Sequence, residues 1–205
     1  ADDVGGGMYN EASSPTLTNC TFTDNSAIAS GGGAGGGMYN RNGSNPTLTD
    51  CTFTNNSADD VGGGMYNEAS SPTLTDCTFT GNSAEYGGGM RNGSSSSPIL
   101  TGCTFTGNSA EYGGGMYNEA SSSPTLTDCT FTNNSADEDG GGMFNYDGSS
   151  PTLTNCTFTG NSADDDGGGM SNYDSSPTLT NCTFTNNSAA GDGGGVVNNY
   201  SSSPT

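Results

Sequence analysis

The feature that most constrains this chain is a repeat. The segment PTLTNCTFTDNSA at residues 15–27 returns as PTLTDCTFTNNSA at 46–58, then recurs from Pro72, Pro98, Pro124, Pro151 and Pro177, seven copies in all. Between the copies stands a second block, GGGMYN at residues 5–10, which returns with small variations (GGGMRN, GGGMFN, GGGMSN) and ends as GGGVVN at 193–198. Cys20, Cys51, Cys77, Cys103, Cys129, Cys156 and Cys182 step by 31, 26, 26, 26, 27 and 26 residues. Self-similarity at such a period marks an architecture of stacked units. It overrides what composition alone suggests. With 22 acidic residues, two basic ones, a net charge of -20 and 28% hydrophobic residues, the chain has the profile of a disordered tract. A disordered tract has no reason to keep a period.

Within one repeat the apolar residues fall in strand order. Leu17, Cys20 and Phe22 point inward, and Thr21 and Thr23 point outward on either side of Phe22. The two residues between Leu17 and Cys20 break strict alternation, which places a bend at Thr18 and Asn19. The glycine triplet supplies a tight corner or a close backbone approach, Met8 opens the next inward position, and Ser13-Ser14-Pro15 is a turn. No stretch has helical periodicity. Each repeat is therefore one coil of about 26 residues in an all-β parallel solenoid of about eight coils, some 35–40 Å long at ~4.8 Å per coil. A lone coil has too few apolar side chains to offset the entropy of ordering its backbone, so stability must come from stacking. Residues 1–205 form one solenoid domain that opens and closes in mid-repeat, which leads us to expect a longer solenoid or coils continuing into a neighbour.

Stacking sets like on like. Phe22, Phe53, Phe79, Phe105, Phe131, Phe158 and Phe184 are expected to form one column. Asn25, Asn56, Asn82, Asn108, Asn134, Asn161 and Asn187 form another, three residues further on. An inward Asn column can link its amides from coil to coil and is expected to take a left-handed turn conformation. The Phe-x-x-Asn element (FTDN at residues 22–25, FTNN at 53–56, FTGN at 79–82) beside a Gly-Gly-x-apolar tetrad resembles the repeats of polymorphic outer-membrane proteins. More broadly it is similar to right-handed parallel β-helix proteins of microbial cell surfaces. The resemblance implies a right-handed parallel β-helix in a secreted, autotransporter-type adhesin or surface-structural protein, placed outside the cell or on its surface.

The chemistry open to this chain is narrow. Two arginines against 22 carboxylates cannot neutralise a phosphate backbone or an anionic membrane, so nucleic acid is excluded as a partner. No apolar run is long enough to span a bilayer as a helix, so no membrane insertion is expected in this segment. With no His and no Lys, most acid–base and Schiff-base catalysis has no residue to run on. Paired carboxylates could serve a glycosidase, but catalysis needs one coil unlike the others, and the variation is gradual with no distinctive cleft. We expect no enzyme.

Acidic runs share one corner between the Asn column and the glycines: Asp2-Asp3, Asp59-Asp60, Glu85, Glu111, Asp137-Glu138-Asp139, Asp164-Asp165-Asp166 and Asp192. No cofactor is required. Calcium is the candidate metal, with Asp59, Asp60, Asp137, Asp139, Asp164, Asp165 and Asp166 as its carboxylates, against the simpler expectation of a solvated acidic edge. The cysteines are expected to be reduced and buried, as small hydrophobes. Asn-x-Ser sites at Asn42, Asn55, Asn92, Asn133, Asn186 and Asn199, and Asn-Cys-Thr at Asn19, Asn155 and Asn181, could carry glycans in a secreted chain. The expected role is structural or adhesive, in a filament or stalk built by head-to-tail stacking on itself or on further coils, with surface glycans as ligands. An alternative follows from the Thr-x-Thr rows, which resemble the surfaces of ice-binding proteins: a solenoid that binds ice, or failing that glycans, through its threonine face.

Overall fold

The computed structural model describes residues 4–29 and 31–205, and its regular elements there are all strands. The first coil contains β1 (Met8–Glu11), β2 (Thr16–Thr18), β3 (Thr21–Thr23) and β4 (Ser26–Ala27), and the same four elements return in every later coil. Each joins its counterparts in a parallel sheet. β1 heads an eight-stranded sheet that ends at Val196–Asn199, while β2, β3 and β4 head sheets of seven strands. The solenoid thus has seven full coils and the opening strand of an eighth. Register is like on like along the inward columns of these coils: Met38 pairs with Met65, Leu74 with Leu100, Phe79 with Phe105 and Asn40 with Asn67.

The inward side chains make one continuous core. Leu, Cys, Phe and Met of the interior coils are fully buried, with Leu100, Cys103, Phe105 and Met116 all at 0% exposure. The phenylalanines stack face to face with ring centroids 4.6–4.8 Å apart and planes within 10°. That spacing is the distance between neighbouring strands of a sheet, so each ring simply follows its backbone. Extended parallel strands with one polar face are unusual in globular domains. Here the solenoid covers its own inner face, and threonine, well suited to a solvated pleat, takes the outer one.

The corners explain which residues vary. Asn19, Asp50, Asp76, Gly102, Asp128, Asn155 and Asn181 all have positive φ, as do Asp24, Asn55, Gly81, Gly107, Asn133, Gly160 and Asn186. Only Asn, Asp and Gly occupy these two columns, the residues that tolerate the left-handed conformation. The bend expected at Thr18 and Asn19 is therefore a left-handed Asn19. The left-handed conformation expected of the Asn ladder itself is corrected: it belongs to the residue before each ladder Asn. The ladder residue keeps an ordinary backbone, which directs its amide into the core.

Each glycine triplet does two jobs. Gly62, with φ +64°, turns the corner. Gly63 and Gly64 lie against the next coil, where a Cβ would stand 2.4 Å from the Ser83 carbonyl oxygen and 2.4 Å from that of Gly89. Both expected roles are present, divided between adjacent residues.

Candidate functional site

Asn82 illustrates the ladder. Its backbone N–H donates to Asn108 Oδ1 at 3.0 Å, and its Nδ2 donates to the same oxygen at 2.9 Å and to the Phe53 carbonyl at 3.0 Å. One side chain therefore ties together three consecutive coils. The pattern runs from Asn25 through Asn56, Asn82, Asn108, Asn134 and Asn161 to Asn187, with Nδ2–Oδ1 distances of 2.9–3.0 Å. Burial strengthens these bonds and makes each one costly to lose.

Two further ladders were not anticipated. The Asn that closes each Gly-Gly-Gly block, from Asn10 and Asn40 to Asn172 and Asn198, passes an Nδ2–Oδ1 bond of 2.8–2.9 Å to the next coil. On the turns, the backbone N–H of Ser70 donates to Ser96 Oγ and that of Ser96 to Ser122 Oγ, both at 3.0 Å. The signal for the first was present, since Asn fills that place in all eight blocks. Its alternation with Met marks an inward position, a polar residue on an apolar face.

All seven cysteines are free thiols, five of them fully buried. Cys51 Sγ donates to the Thr49 carbonyl at 3.4 Å, and burial pushes its pKa up. A thiol reagent on the folded protein is expected to react with no more than Cys20 and Cys182, which are half-buried, and with all seven in denaturant. Rapid native labelling of Cys103 would show that the coils open.

The acids occupy three neighbouring columns rather than one cluster. Asp59, Asp137 and Asp164 are exposed beside the β4 sheet, Asp60 and the exposed Asp165 lie one step inward, and the half-buried Asp139 and Asp166 abut the glycine corner. Asp2 and Asp3 lie outside the described residues. Several of these oxygens accept from backbone N–H groups: Asp59 Oδ2 from Ala29, Asp139 Oδ1 from Asp166 and Asp166 Oδ1 from Asp192. Among the described residues no three His, Cys, Asp or Glu side chains converge as a metal site.

Burial raises the Asp139 carboxyl above its ordinary pKa; the hydrogen bond it accepts from the Asp166 backbone N–H pulls the other way, and the charges of Asp166 and Asp165 add to the rise. Asp60 is raised too, first by burial and then by Glu85, against the opposing pull of Arg91. A carboxyl raised in the folded state binds protons that the unfolded chain does not yet hold. Its contribution to stability is full below the unfolded pKa and is lost as pH rises through the folded one. Thermal unfolding should therefore move to higher temperature between pH 7 and about pH 5, where the unfolded carboxylates are still charged. A lower midpoint at pH 5 would contradict this.

The expectation that no coil carries a cleft is corrected. The column before the glycine triplets changes along the axis from Val4, Ala34 and Val61 to Tyr86 and Tyr112, then to Asp139, Asp166 and Asp192. Where it changes, a groove of about 330 Å³ opens between this corner and the outer face of the β1 sheet. A second groove, lined by Ser83, Ser109, Glu85, Glu111 and Asp137 among others, runs along the β4 sheet. Of the Asn-x-Ser sites, Asn42, Asn55, Asn133 and Asn186 are exposed, whereas Asn92 is a fully buried rung of the second Asn ladder and cannot accept a glycan.

The family model described as "right handed beta helix region" matches residues 3–97 and 68–205. The chain belongs to that family, which also gives the hand of the coil. No curated protein matches it.

Proposed function

We propose that this chain is an extracellular structural and adhesive solenoid, the shaft of a filament or surface stalk, and not an enzyme. The observation that carries this reading is sameness along the axis. The Leu, Cys, Phe, Met and Asn columns run through the coils with one register, so each coil presents the next with an identical template. Such a structure transmits load through backbone and side-chain ladders and needs no reactive centre. The resemblance to polymorphic outer-membrane repeats supports a cell-surface location. The partners in this reading are further coils stacked head to tail, and surface glycans as adhesive targets.

Electron microscopy of the protein from its native source tests it. Long fibres with a layer line near ~4.8 Å are the expected result. Discrete short particles would overturn the filament reading. In this reading calcium acts between molecules, gathering acidic edges that otherwise repel. Millimolar calcium should then raise light scattering and leave the unfolding temperature nearly unchanged.

A second reading, ice binding, rests on the threonine rows. Thr52 Oγ1 donates to Thr21 Oγ1 at 3.1 Å and Thr130 to Thr104 at 3.3 Å, and the rows stay in register across the coils. An ice-recrystallisation assay with no inhibition would remove it.

A further inference from the structure

The outer face of the β1 sheet already holds a cation between aromatic rings. Tyr9, Tyr39, Tyr66, Arg91, Tyr117 and Phe144 follow one another in register on that face. The Arg91 guanidinium lies 4.8 Å from the Tyr66 ring centroid and 5.9 Å from that of Tyr117, and pairs with Glu119 through Nη2. Its Nε is buried with no acceptor, so ring faces and one carboxylate hold the group.

The neighbouring groove repeats this chemistry without the cation. Tyr86, Tyr112, Tyr117, Phe144, Tyr146 and Tyr173 line it. Tyr86 stacks on Tyr112 at 5.6 Å, Tyr112 meets Phe144 at 5.8 Å, and Tyr146 meets Tyr173 at 5.3 Å. Asp139 supplies a half-buried carboxylate in the wall, and no basic residue lines the groove. The Tyr112 hydroxyl is pushed up by burial and then by the carboxylates of Glu138, Glu111, Asp139 and Asp165, which marks a strongly negative surround. Both arginines of the chain are engaged elsewhere, Arg41 with Glu11 and Arg91 with Glu119.

We infer that this groove binds the arginine side chain of a partner protein, its guanidinium stacked on the half-buried Tyr112 ring above a floor formed by the buried Tyr117 and Phe144 rings, and paired with the Asp139 carboxylate. Aromatic faces attract cations, and a chain of net charge -20 steers basic partners toward them. The inference does not depend on the filament reading. It gives the shaft one place where a basic segment docks at a fixed height.

The test is a titration of the intact protein with a short arginine-containing peptide, followed by NMR of the ring and carboxylate side chains. Saturable shifts at Tyr112, Tyr117 and Phe144 are expected, with affinity falling at least tenfold in Asp139→Asn. That variant keeps the oxygen that accepts from Asp166, so the fold is preserved. Tyr112→Val, which places in this column the residue that stands at Val61, should also lose at least tenfold. Asp59→Asn, in the other groove, should stay within twofold of the unaltered protein. Equal losses in the two Asn variants would reduce the effect to general charge attraction and overturn the inference. So would shifts at the same rings from a neutral oligosaccharide but none from the peptide.

Discussion

Replacing Asn108 by alanine should destabilise the protein by about 3–6 kcal/mol, read as a fall in the denaturant midpoint or in the thermal midpoint. The loss follows from what Asn108 satisfies. Its Oδ1 accepts from both the backbone N–H and the Nδ2 of Asn82, and its own Nδ2 donates to the Phe79 carbonyl and to Asn134 Oδ1. Alanine leaves the Asn82 N–H without its acceptor in a fully buried place, and deprives the Asn82 amide and the Phe79 carbonyl of a partner each. Each orphaned group costs about 1–3 kcal/mol. Asn108→Asp separates acceptor from donor. It keeps an oxygen for Asn82 but buries a charge, so it should be strongly destabilising at neutral pH and milder as the carboxyl is protonated. The exposed neighbour Asn133→Ala, which only strains a left-handed corner, should cost about 1–2 kcal/mol. If Asn108→Ala cost no more than Asn133→Ala, the ladder would not be what holds the coils in register.

Much of this fold can be read from the chain because its period is exact enough to align the columns by eye. Phe105 has one environment repeated seven times, and Thr104 and Thr106 flank it with the opposite orientation. Once the columns are written out, inward and outward follow from pleating alone. What resisted reading is what depends on a corner rather than a strand. The left-handed conformation falls on Asp24 and Asn55 rather than on Asn25 and Asn56, because ψ and φ at the turn decide which of two adjacent residues bends. The second Asn ladder at Asn40 and Asn67 was missed for another reason. Its alternation with Met marks it as inward, but a polar residue on an apolar face is easily passed over, and the sheet register is what brings its amide to a partner at 2.9 Å.

The aromatic groove was illegible for a third reason. Tyr86 and Tyr117 belong to successive coils and to different elements, yet their ring centroids lie 5.6 Å apart because the corner of one coil meets the sheet of the next. A column-by-column view treats each position as uniform and passes over the coil where two columns change together. That coil is where Tyr112 gives way to Asp139 while Tyr117 gives way to Phe144. In the proposed reading the uniform columns serve stacking, and the changes between columns serve recognition. On that reading the shaft would carry such a site at no cost to the ladders, since none of the lining residues belongs to the Leu, Cys, Phe, Met or Asn columns.

The glycine triplets set how closely the coils can approach, and Gly115→Ala should show it. A Cβ at Gly115 would stand 2.4 Å from the Gly142 carbonyl oxygen and 2.8 Å from Phe131 Cδ1. The first contact is backbone that carries its own ladder bond, and the second is a ring clamped between Phe105 and Phe158 at 4.7 and 4.6 Å. Neither can move without moving the next coil. Overpacking of a rigid core commonly costs about 1–3 kcal/mol, and with backbone on one side and a stacked ring on the other we expect about 3 kcal/mol or more. Gly107→Ala is the comparison. Gly107 has φ +61° and open space where a Cβ would stand, so alanine there meets only the left-handed penalty of about 1–2 kcal/mol. Gly107→Asn should be close to neutral, because Asn occupies the same corner at Asn55, Asn133 and Asn186. Thermal unfolding of the three variants separates a steric limit on coil spacing from a purely conformational demand for glycine. A Gly115→Ala protein as stable as Gly107→Ala would mean that the coils can part by several tenths of an ångström at that level, and the close approach would lose its role in holding the stack rigid.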